Sequence, residues 1–414
     1  MVRHAGAVLG MVFLAHSAQA QITQQGSKLV GAAAVGAARQ AHSVAISADG
    51  ATAIVGGWGD NSNAGAAWVY TCSGGVWSQQ GGKLIGTDAV GVAEQGWSVA
   101  ISADGNTAIV GGPSDNNNAG AAWVYTRSEG VWSQQGSKLV GSGAVGAARQ
   151  GISVAISADG TTAIVGGHTD NFAAGAAWVF TRSGGVWSQQ GGKFVGSGAV
   201  GAARQGISVA ISADGTTVIV GGYQDNSDAG AAWVFTRSRG VWSQQGSKLI
   251  GTGAVGSAMQ GWSVAIAGDG ATAIVGGPGD NANVGTAWVY TRNLGVWSRQ
   301  GSELAATGAA GAAYLGWSVA ISGDGNVAIV GGPRDGSGAG AAWVYTRSEG
   351  VWSQQGSKLV GTAAAGAAQQ GFSVAISADG STAIVGGWGD SSNAGAAWVF
   401  VAKGRAAVST TGKP

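Results

Sequence analysis

Residues 98–140 read SVAISADGNTAIVGGPSDNNNAGAAWVYTRSEGVWSQQGSKLV, and this stretch decides the fold. It divides into four short segments of strand character. Ser98–Ser102 alternates small with branched residues. Asp104-Gly105 is a strong two-residue hairpin signal. Thr107–Val110 follows and is closed by Gly111-Gly112, after which a polar loop, Ser114–Asn118, leads into Ala121–Thr126. Ser128-Glu-Gly130 turns the chain into Val131–Gln135, which runs on to Lys138–Val140. Only the connector Gly141–Gln150, rich in Gly and Ala, lacks alternation, and no segment spaces its apolar residues as a helix does.

The same text recurs every 55 residues. Trp77, Trp132, Trp187, Trp242, Trp297 and Trp352 keep that interval, as do Trp68, Trp123, Trp178, Trp233, Trp288, Trp343 and Trp398. So do the turn aspartates Asp49, Asp104, Asp159, Asp214, Asp269, Asp324 and Asp379. Residues 21–405 therefore hold seven repeats without insertion. A four-stranded unit of this size has too little core to stand alone and must pack on its neighbours. The phase of the repeat indicates how. The first copy begins with a fourth-type strand, Gln21–Val30, and the last ends on a third-type strand, Ala396–Phe400. Seven complete blades arise only if the N-terminal strand completes the last one, which closes a ring and removes its open edges. The expected fold is all-β: a seven-bladed β-propeller of four-stranded antiparallel blades. An open array is the alternative, although it calls for polar capping repeats that the sequence lacks.

Composition narrows the function. Gly is 79 of 414 residues and charged residues are only 10%, yet 45% hydrophobic residues and 18 Trp leave ample material to bury, which excludes a disordered chain. A net charge of +1 supplies no field for nucleic acid or an anionic membrane. One cysteine, Cys72, excludes a disulfide framework and a Cys-based zinc site. Arg3 and His4, the apolar run Ala5–Ala15 and the Ala18-Gln19-Ala20 cleavage signature read as an export leader over residues 1–20, cleaved after Ala20. The mature protein is thus expected to be secreted or periplasmic, without membrane insertion, with a flexible tail at 406–414. An uncleaved anchor is the alternative reading.

The unit resembles the FG-GAP repeat, the blade unit of integrin α-subunit propellers. The matching text is Gly371–Gly380 (GFSVAISADG), Ala383–Gly387 (AIVGG) and Gly395–Phe400 (GAAWVF). The Gly-Gly, Tyr and Trp spacing, as in Gly111-Gly112, Tyr125 and Trp132, is also similar to kelch repeats, likewise propeller blades. The chain departs from the FG-GAP pattern in carrying Gln-Gly, as at Gln95-Gly96 and Gln150-Gly151, where Phe-Gly is expected. The family's calcium loop is not matched at Asp104-Gly105, so calcium is not carried over. Adhesion or ligand recognition is what the resemblance implies.

Catalytic motifs are absent: no zinc spacing, nucleophile elbow or phosphate loop occurs, and no cofactor or metal is expected. Both sevenfold Asp series read as turn residues, the second at Asp60, Asp115, Asp170, Asp225, Asp280, Asp335 and Asp390. Oxygen-rich runs such as Asp115–Asn118 leave a calcium loop as the alternative there.

Variation between the copies is the functional signal, and it concentrates in two loops. One follows the Gly-Gly pair: Trp58, Pro113, His168, Tyr223, Pro278, Pro333 and Trp388. The other is the connector: Arg39, Glu94, Arg149, Arg204, Met259, Tyr314 and Gln369. In an up-and-down blade these loops emerge on one face of the ring, where rigid strands would present them to a partner. Drift in exposed loops is the competing account. The candidate ligand-binding residues are Trp58, Asp60, His168, Asp170, Tyr223, Asp225, Trp388, Asp390, Glu94, Arg149, Arg204 and Tyr314. The residues opening the first strand (Trp97, Ile152, Ile207, Trp262, Trp317, Phe372) vary only among apolar types and read as blade-packing core. The expectation is an exported, non-enzymatic propeller binding a protein or glycan. Alternatives are a structural envelope or matrix component and a polysaccharide-acting enzyme with its site at the channel mouth. A monomer is expected, with a disulfide dimer through Cys72 the alternative.

Overall fold

A computed structural model of the chain describes residues 21–403; the leader and the tail expected from the sequence lie outside that range. Each repeat forms one four-stranded antiparallel sheet, seven in all among the described residues. In the second blade the strands are Ser98–Ile101, Thr107–Gly112, Ala121–Ser128 and Val131–Gln134, in sequential order from the axis outward. Trp123 lies opposite Val110, and Tyr125 opposite Gln134. The last sheet takes its fourth strand from the other end of the chain: Gln21–Gln24 pairs with Ala396–Lys403, with Gln24 opposite Phe400. That is the register of every other blade, so the ring is closed as its phase required.

Closure has a second signature at the axis. The backbone N–H of Ala48 donates to the carbonyl of Ala103, Ala103 to Ala158, and so on through Ala213, Gly268, Gly323 and Ala378, which returns to Ala48 at 3.0 Å. This circuit of seven hydrogen bonds runs around the channel just beyond the first strands. Only Ala or Gly occupies it, because first strands of adjacent blades crowd together there.

The cores lie between blades rather than within them. Trp123 is fully buried among Ile54, Ala67, Val69 and Leu84 of the preceding blade, and its indole N–H donates to the Thr87 carbonyl at 2.8 Å. Gly111-Gly112 does not vary because there is no room. A Cβ on Gly111 would lie 2.1 Å from the Gly151 carbonyl oxygen, and one on Gly112 would lie 2.7 Å from the Trp123 ring. The departure from Phe-Gly also has a structural reason. Gln95, 2% exposed, accepts from the Gly86 N–H at 2.6 Å and donates back to its carbonyl at 3.2 Å, stapling the connector. Gln40, Gln150, Gln205, Gln260 and Gln370 do the same in their repeats. Further out, Gln80 of one blade accepts from Trp132 and Arg127 of the next, and the Arg127 guanidinium stacks over the Trp132 ring. Cys72 replaces that arginine in the first blade and is a free thiol.

The two Asp series play different parts. The first holds its hairpin: Asp104 accepts from the Asn106 N–H and the Ser102 hydroxyl. Burial acts to raise its pKa, but these hydrogen bonds together outweigh it and hold the carboxyl below its usual range.

The second series is not a local turn. Asp115 is 1% exposed, and one of its oxygens accepts the Val90 N–H of the preceding connector while the other pairs with Lys138 at 2.7 Å. Asp60, Asp170, Asp225, Asp335 and Asp390 repeat this clamp with Lys83, Lys193, Lys248, Lys358 and Lys28. Residues 116–118 form a left-handed turn with φ of 48°, 55° and 66°. Asn and Gly, the commonest occupants of the first of these positions, tolerate that conformation, although Phe172 and Ala282 adopt it too at the second.

One clamp lacks its cation. Glu303 stands where the other copies have Lys, and Asp280 is left with backbone N–H donors, those of Val255 and Asn281, and no cation. Burial, and then the Glu303 charge, raise its pKa. A raised folded pKa means the ionised form costs stability above it. Glu303→Lys should therefore stabilise the fold at pH 7 by on the order of 1 kcal/mol, about 1 °C in a chain this long. The same substitution in an Asp280→Asn background should not. Equal melting temperatures for Glu303→Lys and wild type would count against the clamp.

Candidate functional site

The two variable loops and the start of the first strand meet at one end of the channel, on the face opposite the Asp-Gly hairpins. Three rings of seven positions result. The innermost is His42, Trp97, Ile152, Ile207, Trp262, Trp317 and Phe372. The sequence reading of this column as blade-packing core is corrected: its members line a cavity of about 410 Å³ on the axis, most of them only part-buried. Blades packed by small residues at their inner edges leave the bulky ones above them to pack on each other and on the loops around the mouth.

Five of the seven form an unbroken aromatic arc. Trp262 meets Trp317 at 4.6 Å between ring centroids, Trp317 meets Phe372 at 5.4 Å, Phe372 meets His42 at 4.8 Å, and His42 meets Trp97 at 4.6 Å. Ile152 and Ile207 complete the ring. Serines such as Ser43, Ser98 and Ser153 continue the channel beneath, and the Ser98 hydroxyl is turned onto the Gly151 carbonyl.

The loop residues stand around this arc. Trp58 packs on Trp97 at 5.2 Å, Tyr223 on Trp262 at 4.8 Å, Tyr314 on Trp317 at 6.2 Å and Trp388 on Phe372 at 5.9 Å. Arg39 lies over the Trp58 ring at 4.0 Å and faces Trp388 at 5.7 Å. Glu94 accepts from the Ser114 hydroxyl at 2.5 Å and pairs with Arg149 at 3.5 Å. Arg204 donates to the Gln224 side chain. His168, Tyr223 and Arg149 join the inner ring in lining the cavity.

His42 and His168 are kept neutral. Burial pushes His42 down to about 4 against the bond its Nδ1–H donates to the Trp97 carbonyl, and nearby Arg39 adds to the depression. Burial, then Arg204 and Arg149, push His168 down to about 3.

Of the twelve residues singled out in the sequence, the structure gathers eight around this mouth: Trp58, Glu94, Arg149, His168, Arg204, Tyr223, Tyr314 and Trp388. The four aspartates are a correction. Asp60, Asp170, Asp225 and Asp390 are buried at 0–1% exposure with both carboxyl oxygens engaged, so none faces a ligand. Their clamps also occupy the oxygens that a calcium ion would need, and no cluster of metal-binding side chains occurs among the described residues. The inner ring was missed as a site, and His42 in particular, although it begins a 55-residue column whose members are otherwise all apolar.

The polar atoms at the mouth are unequally satisfied. Trp58 Nε1, Trp388 Nε1, Arg149 Nε and His168 Nδ1 are buried without a hydrogen-bond partner. The mouth is thus a cup walled by aromatic rings and edged with unused donors on a closed ring. The family model of the FG-GAP repeat matches residues 297–345, from the outer strand of the fifth blade to the third strand of the sixth. That stretch is most of one copy of a unit present seven times among the described residues, so the match and the seven-bladed ring together support an FG-GAP repeat β-propeller. No curated protein matches it.

Proposed function

We propose that this protein is an exported, non-enzymatic binding propeller that seats its ligand in the axial cup. The observation that carries this reading is one axial cavity lined by the whole inner ring and by Arg149, His168 and Tyr223 of the two variable loops, with unsatisfied polar atoms at its edge. Variation by drift has no reason to assemble a continuous aromatic wall. The cavity is of the size used for small molecules and single side chains. Histidines held neutral down to about pH 4 and 3 are weak bases, which favours binding over acid–base chemistry. Sugar recognition through paired aromatic and Asp side chains loses its support, since the aspartates are buried. Export rests on the leader signature and on the extracellular setting typical of FG-GAP repeats; among the described residues no helix is long and apolar enough to cross a membrane.

A plug tests the cup. Trp already occupies the inner ring in three repeats, so Ile207→Trp should fold normally while filling the cavity. A fragment and oligosaccharide library screened by thermal shift should give ligands that raise the wild-type melting temperature and lose at least tenfold in affinity for the plugged variant. Ligands that bind both proteins equally would place recognition elsewhere.

A further inference from the structure

The cup is chemically lopsided. No carboxylate lines it, and the one charged side chain that does is Arg149. Its neighbour His168 is 7% exposed, lines the cavity and leaves Nδ1 unpartnered. Arg149 Nε is likewise buried and unpaired, and an arginine Nε–H can only donate. Arg204 adds a second positive charge that acts on His168. Across the cavity stand Trp262, Trp317 and Phe372, whose rings pack on one another and on other rings rather than on polar partners. A buried donor left unmade costs about 1–3 kcal/mol, more for a charged group, so this sector calls for an acceptor from outside. Acids near the mouth do not supply it. Glu94 is held by Ser114 and Arg149, and Asp228 belongs to the Tyr223 loop and does not line the cavity.

We infer that the cup takes a small organic acid: an aromatic or apolar body against Trp262, Trp317 and Phe372, with its carboxylate on Arg149 and His168. This rests on the cup being the ligand seat. An anion here gives the orphaned Arg149 Nε–H an acceptor and lies in the field of Arg149 and Arg204. A neutral sugar can offer hydroxyl oxygens to a donor but gains nothing from the two charges, and an organic cation opposes them.

Phenylacetate, phenylacetamide and phenethylammonium share one ring and differ in the headgroup. Each would be titrated into the whole mature protein at low salt, following the fluorescence of the cup tryptophans and the heat of binding. Phenylacetate should bind at least tenfold more tightly than the amide, and the cation weakest. The advantage should shrink severalfold between 20 mM and 500 mM NaCl. Arg149→Gln should bring acid and amide within about twofold while leaving the amide unchanged; should that variant fail to fold, the salt dependence in the wild type decides alone. Amide or cation binding as tightly as the acid would overturn the ligand class and leave the cup reading standing. No binding by any of the three, with library ligands indifferent to the Ile207→Trp plug, would overturn both.

Discussion

Removing residues 21–30 should lower the melting temperature by about 5–10 °C and produce oligomers. The segment supplies the outer strand of the last blade and buries Leu29 to 6% exposure, with Ile22 partly covered. Fully burying one large aliphatic side chain is worth about 1.5–3 kcal/mol. Its loss also strips Lys28 from Asp390, which is 1% exposed, and an uncompensated buried charge costs about 3–5 kcal/mol. Together these reach the lower end of the ~5–15 kcal/mol that holds most domains folded. The bared edge of Ala396–Lys403 then offers its unpaired N–H and C=O groups to another chain. Val30, at the end of the same segment, is 49% exposed, so Val30→Ser is the matched control and should shift melting by less than about 1 °C. Light scattering and calorimetry on the two variants check this; equal, small effects would leave an open array as the better description.

Asp115→Ala should cost about 3–5 kcal/mol, a fall of roughly 4–6 °C. The carboxylate ties the Val90 N–H and Lys138 to one point, so its loss frees the connector as well as the cation. Lys138→Met should approach the same cost, and the double variant should lose less than the sum of the two, since each single change already breaks the pair. A calcium chelator should leave the wild-type melting temperature unchanged, because both Asp115 oxygens are already engaged. A chelator-sensitive melt together with a harmless Asp115→Ala would convert the clamp into an ion site.

The fold was legible because one unit is written seven times. Blade number, strand order and closure follow from the period and from its phase at Gln21 and Phe400. What lay beyond reach were contacts between copies. Asp115 looks like a turn residue beside its asparagines, and its partner Lys138 lies 23 residues on, across a strand pair. The exchange of Lys for Glu303 opposite Asp280 was the available hint. The inner ring was misread for a related reason. Apolar variation at Trp97, Ile152 and Phe372 is what core positions show, and only the radius of the ring turns those side chains toward a cavity. The variable loops were legible as a face because strand order alone fixes which turns share an end of the ring.

The lysine clamps also say something about the order in which the ring assembles. Lys83 and Asp60 are 23 residues apart, whereas Lys28 and Asp390, which make the same contact in the closing blade, are 362 apart. Each doubling of a loop costs about 0.6 kcal/mol of chain entropy, so the closing contact starts about 2.4 kcal/mol behind its counterparts. The first of these strands to be synthesised is therefore the last to find its place. Until the seventh repeat arrives, the nascent chain carries an unmatched edge at each end, and latching the two together is the slowest step expected in its maturation.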